Sequence, residues 1–377
     1  MAGRRDLPSK QELYGIAKRL GIEGRSHMSK DELADAVQRA TERKGPKVKV
    51  VVTGATGNVG TALLRRLAEV PEIEVHGISR RPPENAPPYR GVPWTPVELG
   101  RPGAEEVLKT TFANADAVVH LAWLIQPSRD ERLMYRTNVA GSAQVFEAAV
   151  AAGVPHLVHM SSVGAYSPGS KERRVDESWR VGGVPTSFYS RHKAAVENML
   201  TKFESELLVS RVRPGLILQS DAGAEIREYF LGSLVPRFLF RHRVPVLPLP
   251  REMVMQFVHA DDVADGLARV LERRPRGAVN LVADPVVTPD VLADVLGGRH
   301  VPLPARLLRA LATVTWHLRL QPTSPGWVDL ALKCPLLDAS RARSELGWEP
   351  RHDAREALRA LVRGIAEGKT VPASPSL

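Results

Sequence analysis

The sequence predicts an α/β protein, a doubly wound parallel sheet with a smaller C-terminal region, preceded by a small all-α module. Three observations carry this. Residues 9–41 hold two helical repeats of apolar residues, each with its own start signal. From Val48 the pattern changes to short apolar runs alternating with amphipathic stretches, the signature of parallel strands joined by crossover helices. Beyond Arg213 the order loosens and proline becomes frequent, which fits a region appended to a regular sheet.

The two helices of the first module begin at Ser9-Lys10-Gln11-Glu12 and Ser29-Lys30-Asp31-Glu32. Both match the capping box, in which serine and glutamate satisfy free amides reciprocally. Leu13, Ile16, Ala17 and Leu20 follow at helical spacing, and Leu33, Ala36, Val37 and Ala40 repeat it. Gly21 before Ile22 reads as a Schellman stop. Thr41 to Lys47, with Gly45-Pro46, reads as a linker. Val48–Thr53 then reads as a strand, Asn58 to Glu69 as a helix, and Ile73–Ser79 as a second strand. Ala117–Ala122 and His156–Ser161 are further strands, separated by a long helical pattern ending near Ala152. Ser187 to Glu206 reads as helix and Leu207–Val212 as strand.

Composition narrows the function classes. A 43% hydrophobic and 25% charged chain of 377 residues is an ordinary globular protein, long enough for more than one compact unit. The single cysteine, Cys334, excludes an internal disulfide, and no Cys/His group has metal-ligand spacing, so no metal is expected. The polar start lacks the apolar core of a signal peptide, and no apolar run is long enough for a membrane span. A cytoplasmic protein is expected. The net charge is +10, and residues 1–49 hold 12 basic against 7 acidic side chains, half of that excess. That asymmetry suits an acidic partner such as nucleic acid. It is also what a general arginine bias leaves, since the chain has 40 arginines to 12 lysines.

Gly54-Ala55-Thr56-Gly57-Asn58-Val59-Gly60 follows the first strand and opens a helix. In that context the first glycine permits a tight turn, the second a close backbone approach to a pyrophosphate, and the third helix–strand packing. The helix N-terminus then favours phosphate. At the end of the second strand, an acid would bind a ribose hydroxyl and an arginine would accept a 2′-phosphate. Here Ser79 is followed by Arg80 and Arg81, with no carboxylate until Glu84. The expected cofactor is therefore NADP, with NAD as the alternative. Further on, Tyr189 and Lys193 are four apart on a predicted helix and share a face. An ammonium beside a phenol favours the phenolate, lowering the tyrosine pKa toward the range of a general acid/base.

Taken together, these motifs resemble the extended short-chain dehydrogenase/reductase family, its NAD-dependent epimerase/dehydratase branch. The resemblance covers about residues 48–350. It rests on the three glycines, His120-Leu121-Ala122, Asn138-Val139-Ala140-Gly141, Ser161-Ser162-Val163-Gly164-Ala165-Tyr166 and Tyr189-x-x-x-Lys193. Arg213-Pro214-Gly215, Phe257 to Ala264 and Glu345-Leu346-Gly347-Trp348-Glu349-Pro350 complete it. The resemblance implies a Rossmann-type sheet with a substrate-binding C-terminal region. It further implies that Ser162 polarises the reacting oxygen, Tyr189 exchanges the proton, and Lys193 holds the nicotinamide ribose. Asn138 would kink its helix and support a proton-relay water. Cofactor contacts are implied at Gly54, Thr56, Gly57, Asn58, Val59, Gly60, Arg80, Arg81, Glu98, Leu99, Leu121, Ala122, Tyr189 and Lys193. Ser161 is the alternative hydroxyl, and Tyr166 is expected to pack or to line the substrate pocket. His120, His159 and His259 are expected to satisfy local hydrogen bonds. Trp123 stands where the family often has a small residue, and it either narrows the pocket or packs in the core.

On the substrate side, Arg237, Arg241 and Arg243 either clamp a diphosphate, as a nucleotide-sugar requires, or are surface charge. Leu303 to Leu320 reads as an amphipathic helix compatible with a lid, a dimer face or a membrane-surface helix. Ser9 to Ala40 resembles the N-terminal helical domain of the transcription termination factor Rho, through Glu12-Leu13-Tyr14, Ile16-Ala17-Lys18, Leu20-Gly21-Ile22 and Met28-Ser29-Lys30. That resemblance implies nucleic-acid binding; a tether or oligomerisation handle is the other reading. The expected organisation is a helical module and linker over 1–45 and a dehydrogenase over 46–377. Within the latter, the dinucleotide core covers about 47–215 plus 255–283, and the substrate region about 216–254 and 284–377. The expected function is an NAD(P)-dependent oxidoreductase, epimerase or dehydratase acting on a small-molecule hydroxyl or carbonyl, with a homodimer possible. The alternative is a non-catalytic dinucleotide sensor whose basic module binds nucleic acid.

Overall fold

The structure, a computed structural model, describes residues 9–19, 22–42, 47–126, 128–227, 244–321 and 323–371. Its contacts divide the chain into two units, one built on the N-terminal helices and one on a large sheet. The first unit contains α1 (Lys10–Arg19) and α2 (Lys30–Glu42). Both capping boxes form: Ser9 N donates to Glu12 Oε2 at 2.7 Å and Ser29 N to Glu32 Oε2 at 2.7 Å, with the reciprocal bonds present. Leu13, Ala17 and Leu33 are buried against Ile22, Met28 and Val37. Ile22 N donates to Ala17 O at 3.0 Å, the bond a Schellman stop requires; Gly21 itself lies outside the described residues. The expected linker begins later than the sequence suggests, because α2 runs to Glu42; residues 43–46 lie outside the described set.

The sheet has seven strands: β1 (Val48–Thr53), β2 (Ile73–Ser79), β3 (Trp94–Pro96), β4 (Ala117–His120), β5 (His156–Met160), β6 (Leu208–Pro214) and β7 (Gly277–Leu281). They lie in the order β7-β6-β5-β4-β1-β2-β3. The pairs β1–β4, β4–β5, β5–β6, β6–β7 and β2–β3 are parallel. Around it lie α3 (Asn58–Leu67), α4 (Ala104–Phe112), α5 (Gly141–Ala151), α6 (Phe188–Leu200) and α7 (Ala260–Arg273). The apolar runs become strands because helices cover both faces, as a doubly wound sheet requires. Val51, Val118, Leu157 and Val209 bury themselves against Leu108, Phe112, Phe146 and Leu200. On the other face α3 packs on α7. The strand order reverses between β1 and β4, which opens a crevice at their carboxyl ends.

The C-terminal region adds α8 (Ala305–His317), α9 (Pro325–Lys333) and α10 (Ala354–Glu367). Two small parallel pairs join it to the rest, Leu216–Leu218 with Phe257–His259 and Leu336–Leu337 with Arg174–Val175. Two distant motifs lock together here. Trp348 is fully buried and its Nε1 donates to Asp262 O at 2.9 Å, while the Asp262 carboxylate accepts from Arg351 N and His352 N.

Three elements depart from the sequence reading. The strand from Ala117 stops at His120, where Leu121 N turns to Thr53 O at 3.0 Å. The long helical pattern before Ala152 is broken by a π-turn over Arg136–Ala140. The helix from Ser187 ends at Leu200 and tightens into a single 3₁₀ turn, Thr201–Phe203.

Candidate active site

The crevice is built by close backbone approach. Gly54 ends β1 with φ +71°, and a Cβ there would sit 2.6 Å from Ala122 N. A Cβ on Gly60 would collide with Gly54 O and Ala55, so only glycine lets α3 start this close to the strand. Gly57 differs: the nearest atom to its Cβ would be Gly54 O at 3.4 Å. The chain's own packing thus tolerates a side chain at Gly57, and the glycine there leaves room for a group outside the chain. Gly57 caps α3 without any side-chain cap, so the helix amides face that room. Thr56 is buried, and Asn58 and Val59 are half-buried on the first turn. The Asn58 amide is held by a hydrogen bond from Gln219 Nε2. The observed cradle fits a diphosphate.

Around the crevice, Ser79 is buried and donates to Arg81 O at 2.8 Å, which turns the chain. Arg80 and Arg81 are exposed. Glu98 is exposed and pairs with Arg101 at 2.9 Å, whereas Leu99 is buried beneath it. Leu121 and Ala122 are half-buried beside Gly54.

Ser162 and Tyr189 come together. Ser162 lies just past β5 and accepts from Gly164 N at 3.0 Å, and its Oγ and the Tyr189 ring both lie against Gly164. Ser187 caps α6, accepting from Ser190 N, which places Tyr189 in its first turn. A Cβ on Gly164 would lie 2.8 Å from Tyr189 Cε1, so glycine lets the phenol lie flat against this turn. The neighbouring Ser161 points the other way and donates to Glu197 Oε1, which separates the two serines.

Lys193 is buried a turn after Tyr189, but its Nζ donates to Met160 O at 2.8 Å and sits 3.5 Å from the Trp123 ring centroid. Burial draws its pKa down to about 7, against the pull of Glu197. Burial also pushes the Tyr189 phenol up to about 12, with the Ser162 hydroxyl nearby pulling the other way. The spacing argument anticipates a lowered phenol; burial outweighs it here. Trp123 lines the site, 6.2 Å edge-on to Tyr189, and Trp327 of α9 lies 5.1 Å from the same ring. Leu124, Ile125, Val184, Phe188 and Leu330 complete an apolar wall.

Asn138 sits in the π-turn and exchanges two bonds with Leu124, donating to its O at 2.8 Å and accepting from its N at 2.7 Å. It thereby fixes the segment after β4 that carries Trp123. Tyr166 is fully buried, bonded to Asn280 and Arg213, and packs rather than lining the site. His120 bonds Thr53 and Ser142 through its two ring nitrogens, and burial draws its pKa down to about 3. His259 accepts from Asp261 N at 3.2 Å. His159 departs from expectation: it is fully buried, and neither ring nitrogen has a hydrogen-bond partner among the described residues. It stacks on His120 at 5.5 Å and meets Phe146 edge-on, so aromatic packing rather than hydrogen bonding holds it. Arg237, Arg241 and Arg243 lie outside the described residues. Among the described residues no group of acidic, histidine or cysteine side chains has metal-binding geometry.

Sequence reasoning missed Glu197 and Arg213 as a pair. Their spacing carries no local signal, and only the fold brings α6 against β6.

Comparison with known proteins gives the same picture. Residues 50–282 match the model of the NAD dependent epimerase/dehydratase family. An uncharacterised protein of Mycobacterium tuberculosis is 27% identical over 314 residues, covering 82% of this chain and 29% of that protein, so the chain spans under a third of its length. A 4-hydroxy-2-methyl-3-oxo-4-farnesyl-3,4-dihydroquinoline-1-oxide ketoreductase of Stigmatella aurantiaca is 26% identical, covering 83% of this chain and 96% of its own. The fold is shared with UDP-glucose 4-epimerase of Thermus thermophilus in complex with NAD (TM-score 0.63, 23% identity, 84% and 98% covered). It is shared also with that of Thermotoga maritima with UDP-glucose (TM-score 0.64, 19% identity, 85% and 99% covered).

Proposed function

The chain belongs to the NAD dependent epimerase/dehydratase family, and on that premise we propose that it reduces the carbonyl of a largely apolar small molecule. The observation that carries this is the placement of Ser162 and Tyr189 side by side against Gly164, inside a wall of Trp123, Trp327, Phe188 and Leu330. Tyr189, with its pKa pushed up to about 12, stays protonated at neutral pH and is poised to donate. Ser162 would hydrogen-bond the carbonyl oxygen, and Tyr189 would give it a proton as negative charge develops there. Lys193 stands one turn away to hold a ribose hydroxyl, and its charge, when it is protonated, would favour the phenolate left on Tyr189 once the proton is given. Asn138 holds in place the segment that carries Trp123. When bound, the nicotinamide supplies the hydride. Gly54, Gly57 and Gly60 with Thr56, Asn58 and Val59 would hold its diphosphate. Leu99, Leu121 and Ala122 would flank the nucleotide, and Glu98 would approach its adenine. The exposed Arg80 and Arg81 favour NADP over NAD.

The apolar wall favours this reading over epimerisation of a nucleotide-sugar, and the ketoreductase relative, named for a farnesylated ketone, points the same way. The buried pairing of Ser162 with Tyr189 argues against a purely non-catalytic sensor. A panel of lipophilic ketones and UDP-sugars, assayed with NADPH and NADH by absorbance and product analysis, tests the proposal. Turnover of ketones with consumption of reduced cofactor is expected. Conversion of UDP-sugars alone, without net cofactor consumption, would replace it with the epimerase reading.

A further inference from the structure

We propose that the chain docks on anionic bilayer surfaces through α8 and the turn after it, lying along the membrane rather than crossing it. Leu307, Leu311, Val314 and Leu318 recur at i, i+4, i+7 and i+11 and are 47%, 50%, 55% and 63% exposed; Leu320, just beyond, is 55% exposed. A surface helix ordinarily turns such a row toward the core. In α8 the opposite face is the one engaged. Ala312, Thr315 and Trp316 are half-buried, and Arg309 binds Asp329 of α9 at 2.9 Å. The row is therefore held outward by contacts on its back, and it forms a contiguous apolar strip of the kind that marks an interaction surface.

Charge selects the occupant. From Leu303 to Leu320 the chain has three arginines and no carboxylate. Arg309 is neutralised by Asp329, while Arg306 and Arg319 are exposed beside the strip. A second copy of the chain placed face to face would bring these cations together with no acid from the segment to meet them. An anionic bilayer accepts both features at once, acyl chains taking the leucines and headgroups the guanidiniums. At 13 residues α8 is about 20 Å long, short of a hydrocarbon core of roughly 30 Å, so it lies in the plane. Among the described residues no helix is long and apolar enough to cross. The inference is independent of the catalytic reading.

Flotation of the full-length chain with vesicles tests it, using phosphatidylcholine alone and phosphatidylcholine mixed with phosphatidylglycerol. The parent should float with the mixed vesicles and far less with phosphatidylcholine. Leu311→Glu with Val314→Glu should lower binding by about tenfold or more. Arg306→Ser with Arg319→Asn should remove the preference for phosphatidylglycerol and flatten the salt dependence; asparagine suits position 319, where φ is +59°. Circular dichroism and thermal melting of each variant show whether it is folded. If the glutamate pair unfolds, the arginine pair decides. A parent that does not float, that floats equally on both vesicles, or whose folded variants bind like the parent overturns the proposal. So does a parent dimer in sedimentation velocity that the glutamate pair dissolves, since the strip is then an interface between copies.

Discussion

Glu197 and Arg213 meet through two hydrogen bonds, Nε to Oε1 at 2.8 Å and Nη2 to Oε2 at 2.5 Å. Their side chains are 2% and 6% exposed. Glu197 lies on α6 one turn past Lys193, and Arg213 lies near the end of β6. Ser161 donates to the same carboxylate, and Arg213 also donates to Tyr166 at 2.9 Å. The pair thus joins α6, β6 and the end of β5, the elements that present Tyr189 and Ser162.

Glu197→Gln should be strongly destabilising, because it strands a buried guanidinium. Breaking a buried pair from one side costs on the order of 3–5 kcal/mol. Urea unfolding should show a lower midpoint with an unchanged slope. Glu197→Leu combined with Arg213→Met should recover part of the loss, since no charge is then left alone. A single variant as stable as the parent would refute the account.

Tyr189→Phe should leave the fold and dinucleotide affinity intact and cost about 10²–10⁴ in turnover. It deletes only the hydroxyl and its exchangeable proton. Calorimetric binding beside a ketone-reduction assay checks both halves; near-parent turnover would remove Tyr189 from the chemistry.

Lys193 makes a pH prediction. Its folded pKa is about 7, below the roughly 10.4 of an unfolded chain. Between those values the unfolded chain keeps a proton that the folded chain has shed, so stability rises with pH across the window. Below pH 7 the cost of burying the charge is felt in full. Lys193→Met removes this contribution, so parent-minus-variant unfolding free energy should climb from pH 7 to 10. A flat difference would mean that the bonds to Met160 and Trp123 keep the lysine charged.

Arg80 and Arg81 should give tighter NADPH than NADH binding. Arg80→Ala should lose that preference and leave NADH binding unchanged. Titration calorimetry of both cofactors decides, and equal parent affinities would assign these arginines to plain surface charge.

The N-terminal module has its own caps and core, so removing residues 1–45 should leave dinucleotide affinity unchanged. Full-length chain should bind RNA with salt-sensitive affinity that the truncated chain lacks. Substituting Lys18, Arg19 and Lys30 should weaken it; Arg25 is best kept, because it donates to Ile22 O at 2.9 Å. Equal binding by both chains in anisotropy titrations would leave the tether reading.

Much of this was legible before any coordinates. The strand–glycine–helix order at Val48–Gly60 anticipates the sheet and its crevice, since periodicity and turn chemistry are local. The tyrosine and lysine four apart anticipate a helix that carries both, and Phe188–Leu200 is that helix. What was not legible depends on contacts distant in sequence. The resemblance already favours Ser162 over Ser161, but the physical reason, Glu197 capturing Ser161, lies in such a contact. The direction of the phenol pKa follows from burial, and Lys193 turns to a carbonyl that spacing does not reveal. The short strand Trp94–Pro96 is too brief to show a period, and the π-turn at Asn138 leaves the apolar pattern almost unchanged.

Consider, finally, the two adjacent hydroxyls at the end of β5. Neighbouring residues of an extended chain face opposite sides, and here each side holds a different reader, Glu197 or Tyr189. β5 is laddered to β4 and β6, and Ser161 N still donates to Val212 O at 2.7 Å. Slipping the strand by one residue would turn every side chain to the other face, so that one reader would meet the neighbouring hydroxyl and the other would meet Met160 or Val163 instead. Substitution and register error are therefore different injuries at this spot. The two flanking ladders act as a ruler, and the reach of the reaction is measured against the sheet itself.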